Sequence, residues 1–346
     1  VEHFPPEAPP DQGASSCIYP PTQENLDFFA DRLRRGHLVA VPTETVYGLA
    51  ALATDEEACR RIFAVKGRPL LDPLIVHVDG TARIPEIALP VEGLEELARK
   101  FWPGPLTVIL PKRERIPDLI TSGKPSVAVR VPRHETTLAL LGKVNGPLAA
   151  PSANPFGYVS PTRAEHVAAA FGRRVPYIVD GGPCQIGLES TILDLRNPKR
   201  AALLRPGAIG LDALQSCLGR SITCPENSVQ PGQAALAPGT LQRHYSPRTP
   251  LHLFTGAPAL ESLGDGSQAV VFLRPPADRN RPEESRMHFF WWSESGEFAE
   301  IARNLFALLR TLDDRKFTAI HCQLPQGDAP LAIALRDRLH RAAAKT

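Results

Sequence analysis

No apolar run in this sequence approaches the ~20 residues that a membrane-spanning helix needs, which excludes a transmembrane chain of that kind. Paired cysteines are missing too: Cys17, Cys59, Cys184, Cys217, Cys224 and Cys322 are scattered, with no CxxC among them. That pattern argues against a disulfide framework or structural zinc and for reduced thiols in a cytoplasmic protein. No signal peptide is visible, because residues 1–21 are rich in Pro, Glu and Ser and have no apolar core; they read as a flexible N-terminal extension. Charge of one sign is in short supply, with 39 Lys and Arg against 37 Asp and Glu for a formal net of +2. A dedicated nucleic-acid binder carries a strong basic excess, so any cationic surface here must be local. Walker A, HExxH and GxSxG signatures are all absent. The glycine pattern Gly264-Asp265-Gly266-Ser267 loosely fits a dinucleotide fingerprint, but it precedes its strand and opens no helix, and is set aside.

What is present begins with 346 residues, more than one core usually holds and enough for two domains. With 43% hydrophobic and 22% charged residues, the composition is that of an ordinary soluble globular protein. From Thr22 to Gly210, strand-like runs alternate with helical patterns, the mark of an α/β layer structure. Strands are expected at 39–41, 74–78, 106–110, 127–131, 148–150, 177–179, 191–195 and 202–204, and helices at 23–35, 93–101, 135–141, 163–171 and 211–218. Thr54-Asp55-Glu56-Glu57 opens a further helix with a capping-box pattern, and Gly67 and Pro69 close it, which leaves Lys66 and Arg68 at a helix exit. The alternation fails between Gly219 and Pro250, where 228–235 has linker composition. The expected division is therefore a first domain over 22–218, a linker over 219–249 and a small C-terminal α/β domain over 250–346. In that last part strands are expected at 251–254, 269–273 and 319–324 and helices at 298–312 and 331–344.

The residues that carry chemistry cluster in the first domain. Lys66 and Arg68 can converge on phosphate oxygens with charge-assisted hydrogen bonds, although an isolated pair of this kind is more often two solvated cations. In Val127-Ala128-Val129-Arg130-Val131 the valines share one sheet face, and Arg130 shares the other with a small alanine that leaves room for a ligand. Ala150-Pro151-Ser152-Ala153-Asn154 puts Ser152 and Asn154 on a loop at a strand end, where α/β folds bind ligands; a plain turn explains them equally well. Thr162, with Glu165 three residues on, reads as the N-cap of the following helix. The glycines of 180–191 let backbone approach a ligand closely, and His77 reads as a hydrogen-bonded core histidine in an apolar strand.

Taken in order, PTETVYGL, KGRPLLDPLIVHV, WPGPLTVIL, VAVRVP, APSAN, SPT, DGGPCQIGLESTILDL, LLRPGAIG and a late APGTLQRHYSP closely resemble the YrdC-like family, and within it the long, two-domain threonylcarbamoyl-AMP synthases. The resemblance runs from Pro42 to Pro247. It implies a YrdC-like twisted mixed sheet flanked by helices over 22–218, with a smaller Rossmann-like α/β domain after the linker. It also implies a nucleotidyltransferase that converts L-threonine, bicarbonate and ATP to threonylcarbamoyl-adenylate and pyrophosphate. The product would pass to a tRNA threonylcarbamoyl transferase for modification of the adenosine next to the anticodon. By motif, Thr45, His77, Arg130 and Ser190 would contact threonine. Lys66, Arg68, Asp72, Ser126, Ser152, Asn154, Thr162, Arg205 and Tyr245 would surround ATP, with Lys66 and Arg68 as the catalytic pair. The chain departs from the family pattern at Asp72, where Asn is usual, at Phe156, where a small hydroxyl residue is usual, and at Thr240, where Met is usual.

Such chemistry needs orientation and charge stabilisation more than a covalent nucleophile. Mg2+ is expected with the ATP phosphates and without a dedicated protein cage, and the His244-Tyr245 stretch of the linker as a lid that excludes water. Two other readings stand beside this one. A related O-carbamoyltransferase making carbamoyl-adenylate would carry additional domains that this chain is too short to hold. A double-stranded RNA or ribosome-binding module would use the cationic sheet, and the near-neutral charge leaves room for only a weak RNA contact.

Overall fold

The computed structural model describes residues 17–225, 235–239, 243–256, 267–276 and 288–344. Most of the N-terminal extension, most of the 228–235 linker run, Thr240 and Gly264-Asp265-Gly266 lie outside the described residues.

Ten strands form the first sheet: β1 (Ile18–Tyr19), β2 (Val39–Val41), β3 (Gly48–Leu52), β4 (Ile75–His77), β5 (Leu106–Pro111), β6 (Ser126–Arg130), β7 (Leu148–Ala149), β8 (Ile178–Val179), β9 (Thr191–Asp194) and β10 (Ala202–Arg205). Their spatial order is β1-β8-β2-β3-β7-β4-β6-β5-β9-β10. Pairing is mixed, as expected. β4 runs parallel to β6 and β5 to β9, whereas β3 and β7, β5 and β6, and β9 and β10 are antiparallel. The register sets His77 beside Arg130, which brings two of the expected ligand contacts to one edge of the site.

Eight helices belong to this part: α1 (Gln23–Arg34), α2 (Glu56–Lys66), α3 (Ile84–Ile87), α4 (Leu94–Phe101), α5 (Asp118–Thr121), α6 (Glu135–Val144), α7 (Ala164–Phe171) and α8 (Leu211–Leu218). α2 shows why the chain turns where it does. The Asp55 carboxylate accepts the Ala58 amide at 3.0 Å at its start, and Gly67, at φ +63°, ends it in the left-handed conformation that glycine tolerates. Thr162 is not the cap of α7. The helix begins one residue later, after Arg163, which makes no side-chain cap, and the His166 ring accepts the Thr162 amide at 3.1 Å.

The alternation read in β6 holds: Val127 and Val129 enter the large core with Leu106, Val108 and Ile62, while Ala128 joins Ile75, Ile109, Ile192, Leu204 and Ala237 on the opposite face. That second cluster is the floor of the site, and Ala237 of the linker closes over it. The chain stays on the first sheet beyond α8, since Ile222 is buried in the large core and Thr223 bridges to Ala202.

A second, all-parallel sheet contains β11 (Leu251–Phe254), β12 (Gln268–Phe272), β13 (His288–Trp291) and β14 (Ala319–Gln323) in the order β11-β14-β12-β13. It packs with α9 (Phe298–Asp314) and α10 (Pro330–Ala343). Their core does not stop at this sheet: Val46, Val159, Leu188 and Tyr245 are buried together with Leu305, Phe306, Leu309 and Leu335. At about 1.5–3 kcal/mol for each fully buried aliphatic or aromatic side chain, this shared cluster is a substantial contact between the two parts.

Candidate active site

A cleft opens where the β2–β3 turn, the ends of β4 and β6, the loop after β7, the start of β9 and the linker meet. Of the residues expected to bind ligand, Thr45, His77, Arg130, Ser190, Arg68, Ser152, Arg205 and Tyr245 all line it. Lys66, Asp72 and Asn154 stand immediately behind its wall. The Lys66 ammonium donates to the Ser152 carbonyl at 2.6 Å and to that of Asn154. Ser126 shares the face of β6 that carries Arg130 but sits at the other end of the strand, outside the lining. Thr162 is buried in the turn before α7 and does not reach the cleft lining.

The turn Pro42–Gly48 is held by its own hydroxyls. Thr43 Oγ1 accepts the Val46 amide at 3.1 Å and lies 2.8 Å from Thr45 Oγ1. Thr45 Oγ1 in turn accepts from Arg130 Nη1 at 2.9 Å. Arg130 is 3% exposed, so its charge requires a partner, and Glu44 lies 2.8 Å from Nη2. Among the described residues Nη2 and Glu44 Oε1 have no other partner than each other, and Arg130 lines the cleft. His77 beside it is neutral at ordinary pH, because burial and the Arg130 charge push its pKa down to about 3.

A second cationic group lies across the cleft. Arg68 donates to the Asp72 and Pro73 carbonyls at 2.9 and 2.7 Å and pairs with the Asp72 carboxylate at 2.9 Å. Burial pulls the Lys66 ammonium well below its ordinary pKa, helped by the Arg68 charge and opposed by Asp72. Asp72 moves up because burial outweighs the neighbouring Arg68, Lys66 and Arg205. Lys66, Arg68 and Arg205 thus surround Asp72, with Arg205 also beside the Glu189 carboxylate, and a polyanion entering the cleft would add negative charge next to them.

Arg205 ties the third wall together. It donates to the Ser190 carbonyl at 3.0 Å, to Ser190 Oγ at 3.1 Å and to the Pro238 carbonyl of the linker at 3.0 Å. Gly239 follows at φ +71°, where a Cβ would meet Tyr245 Oη at 2.5 Å and Arg205 Nη1 at 2.9 Å, so only glycine fits. Tyr245 is itself at φ +63°, and its hydroxyl has no hydrogen-bond partner among the described residues. His244 meets it edge-on at 4.1 Å and Phe156 edge-on at 6.1 Å, so the phenyl ring found where a small hydroxyl residue was expected packs against the linker.

Glu44 and Glu189 also line the cleft or hold its cations, and sequence reasoning missed both as site residues. Each stands next to a residue that was singled out, Thr45 and Ser190, so the signal was adjacency. Pro238 and Gly239 lay inside the quoted APGTLQRHYSP run but were given no role of their own.

Comparison with known proteins follows from this geometry. A Sua5/YciO/YrdC family model, described as "Telomere recombination", matches residues 31–207, and one described as "Threonylcarbamoyl-AMP synthase, C-terminal domain" matches residues 209–344. A threonylcarbamoyl-AMP synthase of Pyrococcus abyssi is 39% identical over 90% of this chain and 91% of its own length. One of Bacillus subtilis is 35% identical over 90% of each chain. The crystal structure of P. abyssi Sua5 complexed with L-threonine superposes with a TM-score of 0.84 at 37% identity, covering 94% of this chain and 96% of that one.

Proposed function

This chain belongs to the threonylcarbamoyl-AMP synthase family in its two-domain form, and we propose that it converts L-threonine, bicarbonate and ATP to threonylcarbamoyl-adenylate and pyrophosphate. The observation that carries this reading is one cleft whose lining holds the Arg130 guanidinium and, separately, Arg68 and Arg205, with the buried Lys66 directly behind them. The first suits an amino-acid carboxylate and the second a triphosphate. The relative solved with L-threonine shares the fold over nearly the whole chain.

The amine of threonine attacks bicarbonate with loss of water, giving N-carboxythreonine. Its carbamate oxygen then attacks the α-phosphorus of ATP, and the bond to the leaving pyrophosphate breaks. Arg130 and Thr45 hold the threonine carboxylate. Lys66, Arg68 and Arg205 offset the charge that gathers on the phosphates as that bond opens, which needs no covalent enzyme intermediate. The carbamate is labile in water, so His244 and Tyr245 of the linker act as the lid over the cleft.

For magnesium the candidate carboxylate is Asp72, buried behind the cleft wall with Oδ2 2.9 Å from Arg68 Nη2 and Oδ1 without a hydrogen-bond partner among the described residues. Among the described residues no three His, Cys, Asp or Glu side chains converge as a metal cage. An ion carried by the nucleotide's phosphates would have Asp72 as the protein's contribution; bound there, it would offset charge on the leaving group. Handing the adenylate to a tRNA threonylcarbamoyl transferase completes the reading. Its test is pyrophosphate release measured with ATP, magnesium, threonine and bicarbonate, omitting each in turn. Release that persists without threonine or without bicarbonate would overturn it.

A further inference from the structure

Arg338 lies in α10, outside every motif of the cleft, yet it is completely buried and points away from its own sheet. Its Nε donates to Glu189 Oε2 at 2.9 Å, and its Nη2 donates to the Pro206 carbonyl at 3.1 Å. The guanidinium carbon sits 5.3 Å from the centre of the Tyr245 ring, within cation–π range. Asp337 on the same helix pairs with the remaining Nη1. One planar fork therefore joins three segments that are far apart in sequence: the start of β9, the end of β10 and the linker.

Each of those segments carries a cleft residue at the point of contact. Glu189 lines the cleft, precedes Ser190 and accepts from Ser160 Oγ at 2.5 Å with its other oxygen. Pro206 follows Arg205. Tyr245 is the lid residue and also packs on Phe306 of α9 at 5.6 Å. Burying an arginine is costly unless every partner is in place, so this arrangement fixes the relative positions of its partners. We propose that Arg338 is a positioning residue through which the C-terminal domain holds Ser190, Arg205 and Tyr245 in the geometry the cleft needs. The inference rests on the synthase reading above and gives the C-terminal domain a part in that activity: the cleft of the first domain is complete only with α10 in place.

The experiment compares Arg338→Met, Arg338→Lys and Glu189→Gln with the wild type, reading the threonine KM and kcat from pyrophosphate release together with thermal unfolding. Val270→Ala serves as the control, because Val270 of β12 is fully buried in the C-terminal sheet and is not in the cluster that Leu188 and Tyr245 join. Arg338→Met is expected to raise the threonine KM at least tenfold and to lower kcat. Arg338→Lys recovers part of both, and Glu189→Gln moves KM the same way while folding normally. Val270→Ala is expected to lower the unfolding temperature with KM unchanged. Wild-type KM and kcat in a folded Arg338→Met would overturn the coupling. Should that variant not fold, wild-type kinetics in Glu189→Gln would overturn it instead. A wild-type protein without threonine-dependent pyrophosphate release would remove the synthase reading and the coupling together, whereas variants that keep that release intact remove the coupling alone.

Discussion

Replacing Arg130 by lysine separates what this residue does for the fold from what it does for the ligand. The arginine spends Nε on the Gly104 carbonyl at 3.2 Å and Nη1 on Thr45 Oγ1 at 2.9 Å, and sets Nη2 2.8 Å from Glu44. Lysine keeps the positive charge beside Glu44, so no carboxylate is left buried alone, but it loses the fork that can bind a carboxylate through two parallel donors. A hydrogen bond to a charged group contributes about 1.5–3 kcal/mol, and each 1.4 kcal/mol is tenfold, so threonine should bind about 10- to 150-fold more weakly. Unfolding in urea should shift by less than about 1.5 kcal/mol, whereas Arg130→Met, which strands Glu44, should cost about 3–5 kcal/mol. Adding Glu44→Gln to Arg130→Met should restore most of that stability and none of the affinity. The assays are calorimetric titration with threonine and urea unfolding of the same preparations. Wild-type threonine affinity in folded Arg130→Lys would refute the assignment of the guanidinium to the substrate carboxylate.

Four further outcomes are expected. Lys66→Met should reduce turnover at least 100-fold, about 2.7 kcal/mol at the transition state, with little change in threonine affinity. Because burial depresses the Lys66 pKa and a triphosphate would raise it again, ATP binding should take up a proton, and affinity should fall as pH rises between the two values; calorimetry in buffers of different ionisation heat reads this directly, and no buffer dependence would count against it. Gly239→Ala should impair turnover well beyond its effect on stability, since the added methyl meets Tyr245 and Arg205 at the lid. The pH dependence of stability has a definite sign at His77 and His166, whose pKa values burial lowers to about 3 and about 4. The unfolded chain takes up protons at these positions below pH ~6.5 while the folded protein does not, so each costs about 1 kcal/mol of stability on going from pH 6 to pH 5. Asp72, with its raised pKa, works the opposite way. His77→Asn should therefore flatten the urea-unfolding profile over that pH unit by about 1 kcal/mol, and an unchanged slope would show that His77 titrates normally.

Much of this architecture was legible because its signals are local. Asp55 and Gly67 mark the ends of α2 by cap chemistry, and the valines of β6 announce their face by period two. The strand Gly48–Leu52 was not legible. Gly and Ala have weak strand preference, and this segment is extended because β2 and β7 flank it on both sides, a non-local cause. His288–Trp291 was missed as well, although it is an aromatic run that a stricter reading of strand preference would have caught. Within the site, Lys66, Arg68 and Arg130 were found because cations beside glycine, proline or alanine are unusual enough to notice. Thr162 was read as a cap because its sequence pattern is right, but the helix starts only after Arg163, and Thr162 donates its own amide to the His166 ring. Arg338 gave no signal at all: on an amphipathic helix rich in arginine, only the packing of α10 against the first domain shows which one is buried.

The central claim is that this cleft joins a carboxylated threonine to the α-phosphate of ATP. Incubation with ATP, magnesium, L-threonine and isotopically labelled bicarbonate, followed by mass analysis of the nucleotide products, tests it most directly. The account predicts a threonylcarbamoyl-adenylate that carries the label and forms in step with pyrophosphate. Pyrophosphate release with an unlabelled adenylate, or none, would contradict it.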